Sequence, residues 1–292
     1  MEKLTDNIKL LSNGKYRLPY CNCLLIEDDI NCLIDSSPTD DEFVHLEGIK
    51  IDLIVNSHSH TDHNSRNNAF PGSRILLHPA EHSRAASGEE YLRAYGFDLF
   101  NVEDVRPLYL AAVKYAARPV DGEITDGQKI STGSVEFQVV HLPGHTYGHC
   151  GFLFPKEGFI FTADMHPDVL AQYAMLDSSV DDFIDSIKKL INLKPETIIA
   201  GHGKAIIKDD ILPKLSAGID EFYRRDEQIL DRIRAGKHTV QEIADDGITF
   251  KGNFPQPRSI YWLHECIMDL KHLEHLERMG EVGCEEGKYY IK

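Results

Sequence analysis

The chain has 292 residues, with 31 Lys plus Arg against 47 Asp plus Glu, a formal net charge of −16. A surface that acidic repels phosphate backbones and anionic lipid, so neither nucleic acid nor membrane is expected as a partner. The 42% hydrophobic content is that of a folded globular chain, and at ~150 residues per domain the length suggests two domains. No apolar run reaches the ~20 residues of a membrane span. The opening MEKLTDNIKLL does not read as a signal peptide. The six cysteines (21, 23, 32, 150, 266 and 284) form no CxxC pair, which points to reduced thiols in a cytoplasm.

In chain order, Asn22–Ile26 and Asn31–Ile34 are apolar runs around the turn Glu27, Asp28, Asp29, which signals a hairpin. Ile51–Val55 is a buried-strand run ending abruptly at Asn56, Ser57 and His58, and Arg74–Leu77 is another strand. Residues 79–118 read as helical with breaks at Gly88 and Gly96. Val135–Val140 and Phe159–Thr162 return to strand. Asp181–Leu193 carries apolar residues at 183, 184, 187, 190 and 191, a helical spacing, and Thr197–Ala200 is a strand. After Lys208 come a long helix pattern over Asp210–Gly236 and a short one at Thr239–Asp246, whose Thr239 and Glu242 make a capping box. A stripe at Ile260, Leu263, Ile267, Leu270 and Leu273 follows, and then a hairpin around Glu285, Glu286 and Gly287. Three helices and a hairpin is the winged-helix order.

The polar motifs gather at strand ends. His58, His60, Asp62 and His63 place three imidazoles and a carboxylate within six residues, a donor set suited to first-row metals such as zinc. His145, Asp164 and His202 each follow a strand as well. One such hit would be weak; all of them together are specific.

These motifs resemble the metallo-β-lactamase superfamily over residues 1–208. The stretches SHSHTDH and PGHTYGHCGF look most like its glyoxalase II (hydroxyacylglutathione hydrolase) branch. The resemblance implies an α/β fold, an αββα sandwich with metals at one edge of two sheets. It assigns His58, His60 and His145 to a first metal, Asp62, His63 and His202 to a second, and Asp164 to the bridge between them. It implies two divalent ions, Zn2+ before Fe or Mn, and hydrolysis of a small ester, thioester or lactone by a hydroxide shared between the metals. Asp62 and Asp164 are then the catalytic carboxylates. The usual Gly-Asp at the bridging position is Ala163–Asp164 here. Residues 209–292 resemble instead the winged-helix-like C-terminal domain of a branch of β-lactamase-like hydrolases and endoribonucleases, so a metal-dependent ribonuclease or phosphodiesterase is the alternative.

Around this set, His149 can hydrogen-bond a ligand or pack beneath the site. Asp35 can orient a ligand histidine or cap a turn. Tyr147 and His166 are candidate proton donors to a leaving group. Cys150 reads as a packed core thiol, and His264, His272 and His275 as surface or interface residues. The insertion 83–120 carries Tyr91, Tyr95, Phe97, Phe100, Tyr109 and Tyr115, either as an aromatic cap over the metals or as ordinary helix packing. Residues 209–292 hold twelve Lys plus Arg and seventeen Asp plus Glu, a net of −5. A nucleic-acid-reading domain would be basic, so this region is expected to be a packing or homodimerisation domain.

Overall fold

A computed structural model describes all residues except 13, 16, 17, 101, 103 and 104. The first sheet has seven strands in sequence order: β1 (Glu2–Lys3), β2 (Ile8–Leu11), β3 (Cys23–Ile26), β4 (Cys32–Ile34), β5 (Leu53–Val55), β6 (Arg74–Leu77) and β7 (Gly122–Glu123). The expected hairpin is β3–β4, antiparallel with Leu25 opposite Leu33; β4 to β7 then run parallel. The second sheet contains β8 (Lys129–Ser131), β9 (Glu136–His141), β10 (Cys150–Phe154), β11 (Phe159–Ala163), β12 (Ile198–Ala200) and β13 (Ile206–Ile207), in simple reverse order across the sheet.

Strand side chains alternate between faces, so each sheet offers two apolar surfaces. Ile8, Leu10, Leu24, Ile26, Ile34 and Val55 meet Phe137, Val139, Cys150, Phe152 and Phe161 between the sheets. Cys150 is thus a core thiol. On the outer face of the first sheet, Cys23, Leu25, Leu33 and Ile54 pack under Phe43 and Leu46. The second sheet's outer face takes the helix Val180–Leu193. Ser179 caps it by accepting the Asp182 N–H, and Val180, Phe183, Ile184, Ile187 and Leu190 are buried. This is the αββα sandwich.

Residues 79–118 are less continuous than their composition suggests. Helices span His82–Ala86, Gly88–Ala94 and Arg106–Ala112. The break falls at Ser87, whose hydroxyl caps the second helix, so Gly88 is that helix's first residue rather than a breaker. Gly96, at φ 73°, does end it.

The C-terminal region consists of the helices Ile211–Arg234, Val240–Ala244 and Arg258–Met279 and the hairpin β14 (Val282–Glu285) with β15 (Lys288–Ile291). The Thr239–Glu242 capping box is formed in both directions. This region is joined to the sandwich by shared packing. Ile211, Leu215, Phe222 and Met268 sit in one cluster with the Val180–Leu193 helix. Ile260, Leu263 and Ile267 sit in another with Tyr91, Tyr95, Phe97 and Tyr109. No helix among the described residues is long and apolar enough to cross a membrane.

Candidate metal centre

The site forms where strand ends from both sheets meet. β5 delivers His58 and His60 in an extended loop, and the short helix Thr61–Asn64 turns Asp62 and His63 to the other side. His145 follows Gly144, which no other residue could replace: φ is 126°, and an added Cβ would lie 2.3 Å from the Phe183 backbone. At the end of β11 the register shifts between Phe161 and Ala163, which redirects Asp164 into the site. His202 follows β12 through Gly201, whose N–H donates to the Ala163 carbonyl at 2.7 Å.

All seven sequence-read donors come together, in two clusters. His58, His60, His145 and Asp164 form one; Asp62, His63 and His202 form the other. His60 Nδ1 stands 2.8 Å from His145 Nε2, and His145 Nε2 stands 3.1 Å from Asp164 Oδ2. In the second cluster, His63 Nε2 is 3.2 Å from His202 Nε2, which is 3.3 Å from Asp62 Oδ2. Asp164 faces both sets, with Oδ1 2.9 Å from His63 Nε2 and 3.2 Å from His202 Nε2.

The donors fit divalent ions. Imidazole nitrogens facing one another at such distances need a proton or a cation between them, and His58 Nε2 is buried with no hydrogen-bond partner. Burial holds His58 well below the ordinary histidine range and His60 down to about 3, so both offer free lone pairs. At His202 burial opposes the charge, but Asp164 and Asp62 outweigh it and raise the group to about 9. Burial likewise works against the charge on Asp164, yet His202, His63 and His145 keep that carboxyl well below its usual range.

A supporting layer fixes the donors. Asp35, fully buried, accepts hydrogen bonds at 2.8 Å from both the N–H and the hydroxyl of Ser57 and pairs with His63 Nδ1 at 2.7 Å. It touches the histidine the sequence left it to orient. His149 donates from Nδ1 to the Leu142 carbonyl (3.0 Å) and accepts the Asp164 N–H at Nε2 (3.3 Å), so it both packs beneath the site and holds the backbone of Asp164. The backbone N–H of His166 donates to the Asp164 carbonyl at 2.9 Å, but its ring lies outside both donor sets. Tyr147 is half exposed and lies beside His78 and His141, away from the donors. The 145–149 loop turns Thr146 and Gly148 inward and Tyr147 out.

Glu81 escaped sequence reading. Its buried carboxylate accepts from the Ser59 N–H (3.1 Å), the Ser59 hydroxyl, the Thr146 hydroxyl (2.7 Å) and the Gly148 N–H (3.0 Å). It also pairs with Arg84 at 2.7 Å, and Arg84 pairs with Asp177. One side chain therefore ties the His58–His60 loop to the His145 loop. In sequence it is an i,i+3 Glu–Arg pair like any on a solvated helix.

Of the insertion's rings, Tyr95 reaches the site. It stacks on His60 (centroids 5.7 Å, 27°) on one side and on His264 (5.4 Å, 26°) on the other. Tyr91, Phe97 and Tyr109 are buried around it, and Phe100 lies against Trp262. His264, His272 and His275 are buried where the C-terminal helix meets the rest of the chain. His272 bridges Asp226 and the Tyr173 hydroxyl, each at 2.6 Å.

Two sheets sandwiched by helices, with a histidine and aspartate cluster at their common edge, define a metallohydrolase fold. A model of the metallo-beta-lactamase superfamily matches residues 16–202, and the chain belongs to that superfamily, as a metal-dependent hydrolase. It is 26% identical over 242 residues to a beta-lactamase-like protein 2 homolog of Drosophila melanogaster, covering 82% of this chain and 73% of the relative. It is 33% identical over 179 residues to a hydroxyacylglutathione hydrolase of Cereibacter sphaeroides, covering 60% of this chain and 66% of that one. A solved metallo-beta-lactamase family protein of Thermus thermophilus superimposes with a TM-score of 0.75 at 21% identity, over 99% of this chain and all of the other.

Proposed function

We propose that the chain is a binuclear hydrolase of a small ester, thioester or lactone, with residues 1–208 as the catalytic domain and 209–292 as a packing domain. The carrying observation is Asp164, whose two carboxylate oxygens each face a separate cluster of imidazoles. His58, His60 and His145 would hold one ion, Asp62, His63 and His202 the other, and Asp164 both, with Zn2+ as the favoured metal. Bound there, the ions would bring the pKa of water near ~7 and polarise the substrate oxygen. The chain's own residues do the rest. Asp164 supplies the charge that lets two cations sit close together. Asp62, on the more open side, orients the attacking water and holds its proton. Asp35 and His149 fix the geometry of His63 and Asp164. The similarity to a hydroxyacylglutathione hydrolase favours a thioester.

The phosphodiesterase reading draws on the winged-helix order of the C-terminal region. Against it stand the net acidity of that region and the burial of Ile260, Leu263 and Ile267 against the insertion, which occupies one face of the helix. Metal analysis of protein purified without chelator, coupled to a panel of thioesters, lactones, phosphodiesters and RNA, tests both. The proposal expects two equivalents of metal and thioester or ester turnover. Less than one equivalent, or turnover confined to RNA, overturns it.

A further inference from the structure

Behind His63, on the side away from the two donor clusters, lies a third group of donors. Cys21 Sγ, an Asp35 carboxylate oxygen and a His63 ring nitrogen lie within 4.8 Å of one another, all buried. Cys23 Sγ is 3.5 Å from Cys21 Sγ. The arrangement follows from the sequence. Positions 21 and 23 share one face of an extended segment, so a Cys-x-Cys spacing brings both thiols to the same side. That segment runs beside the strand whose end carries Asp35.

We propose that Cys21, Asp35 and His63 Nδ1, with Cys23 turned in as a fourth donor, form a further cation site for a thiophilic d10 ion such as Cd2+, back to back with the hydrolase centre through the His63 ring. Thiolate sulfur and imidazole nitrogen are the donors such ions prefer, and four donors close a tetrahedral shell. The two sulfurs, 3.5 Å apart, are near the separation that a shared ion needs, and Cys23, which lies outside the group of donors within 4.8 Å of one another, turns toward Asp35 and His63 to complete the shell. Binding exchanges the Asp35–His63 hydrogen bond for two bonds to the ion. Both thiol protons and the proton shared by Asp35 and His63 Nδ1 leave to solvent. With His63 bound through both ring nitrogens and so deprotonated, two thiolates, one carboxylate and that ring around a divalent ion leave two negative charges beside the cationic hydrolase centre. A cavity of about 10 Å³, roughly one water's worth, touches Cys21 and is also lined by Ser12, Lys15, Tyr20 and His202. It offers a way in next to the mouth of the metal centre.

The experiment uses the full chain, already loaded with zinc, titrated with cadmium chloride and followed by the ultraviolet thiolate-to-cadmium charge-transfer band. The band should grow to saturation at one added equivalent. Cys21→Ser and Cys23→Ser should each weaken it and the double variant abolish it, with the initial zinc content retained, while Cys266→Ser should leave it unchanged. If a serine variant fails to fold, Cys23→Ala takes its place, and the wild-type titration stands by itself. A wild-type titration without the band, or a band that persists in the double variant, overturns the proposal. Neither result bears on the hydrolase reading, which the initial zinc content tests separately.

Discussion

Removing the carboxylate of Glu81 should loosen both loops that carry the first donor cluster. In Glu81→Ala, the Ser59 N–H and hydroxyl, the Thr146 hydroxyl and the Gly148 N–H all lose their acceptor, and buried Arg84 keeps Asp177 as a carboxylate partner. Breaking a buried ion pair from one side costs about 3–5 kcal/mol, because a charge is left uncompensated. For a chain of this size that lowers Tm by on the order of 10 °C. Because His60 and His145 then lose their common tether, affinity for the first metal should fall by about 10- to 100-fold, the usual effect of removing a group that orients ligands. Glu81→Gln keeps the shape and some of the acceptors, so it should fall between wild type and alanine. Thermal melts of loaded and metal-free protein, with chelator competition, measure both effects. The carboxyl is also held well below its usual range, since Arg84 and the hydrogen bonds outweigh burial. Its stabilisation is therefore present above the unfolded value of ~4.5 and lost as pH falls further, so wild type and Glu81→Gln should converge in strong acid. A Glu81→Ala protein that melts within about 2 °C of wild type and keeps its metal affinity would refute the tether argument.

Asp164→Ala should lose the second equivalent of metal and most activity, since two cations would then face each other without the bridging charge; elemental analysis reads the first effect directly. In metal-free protein, the raised value of about 9 at His202 means that its stabilisation is complete below ~6.5 and lost as pH rises through about 9. Melts at pH 7 and pH 10 should therefore diverge without metal, and zinc uptake at pH 7 should release protons, measurable by calorimetry in buffers of different ionisation enthalpy. Ala163 holds a left-handed φ of 46°, which costs a non-glycine residue roughly 1–2 kcal/mol. Ala163→Gly should thus be neutral or up to about 1 kcal/mol more stable, and a clear loss in denaturant melts would contradict the strain. Tyr109→Ala should cost about 3 kcal/mol or more as a core truncation, and Tyr95→Ala, which also bares His60, should shift substrate preference as well; equal losses on large and small substrates from both variants would make the two rings purely structural.

The cluster of candidate metal donors was readable because its chemistry is local. Four sit in one six-residue loop, and the other three each follow an apolar run that could only be a strand. The departure at Ala163 was visible too, and the structure gives its meaning: the backbone there adopts the conformation that makes glycine usual. What could not be read depends on which way a loop turns and what lies across from it. Tyr147 and His166 are as near to donors in sequence as His149 is, yet only the His149 ring contacts one. The histidines of the Arg258–Met279 helix looked peripheral because a helix packed on several sides buries polar residues along with its apolar stripe, here Glu265, Asp269 and His272. Strand β2 was missed because its four residues alternate weakly, and β10 because it begins inside the histidine motif.

The packing of Tyr91, Phe97 and Tyr109 against Ile260, Leu263 and Ile267 has a consequence for synthesis. The rings leave the ribosome roughly 160 residues before their partners, and at ~5–20 residues per second that is a delay on the order of 10 s or more. During it, a helical segment studded with aromatic side chains has no cover while the sandwich around it can already close. A nascent chain stalled near residue 208 should accordingly be cut by protease within 88–112 and bind holdase chaperones there, and both should cease once residue 280 has emerged. The wall beside His60 is thus among the last parts of the molecule to be completed.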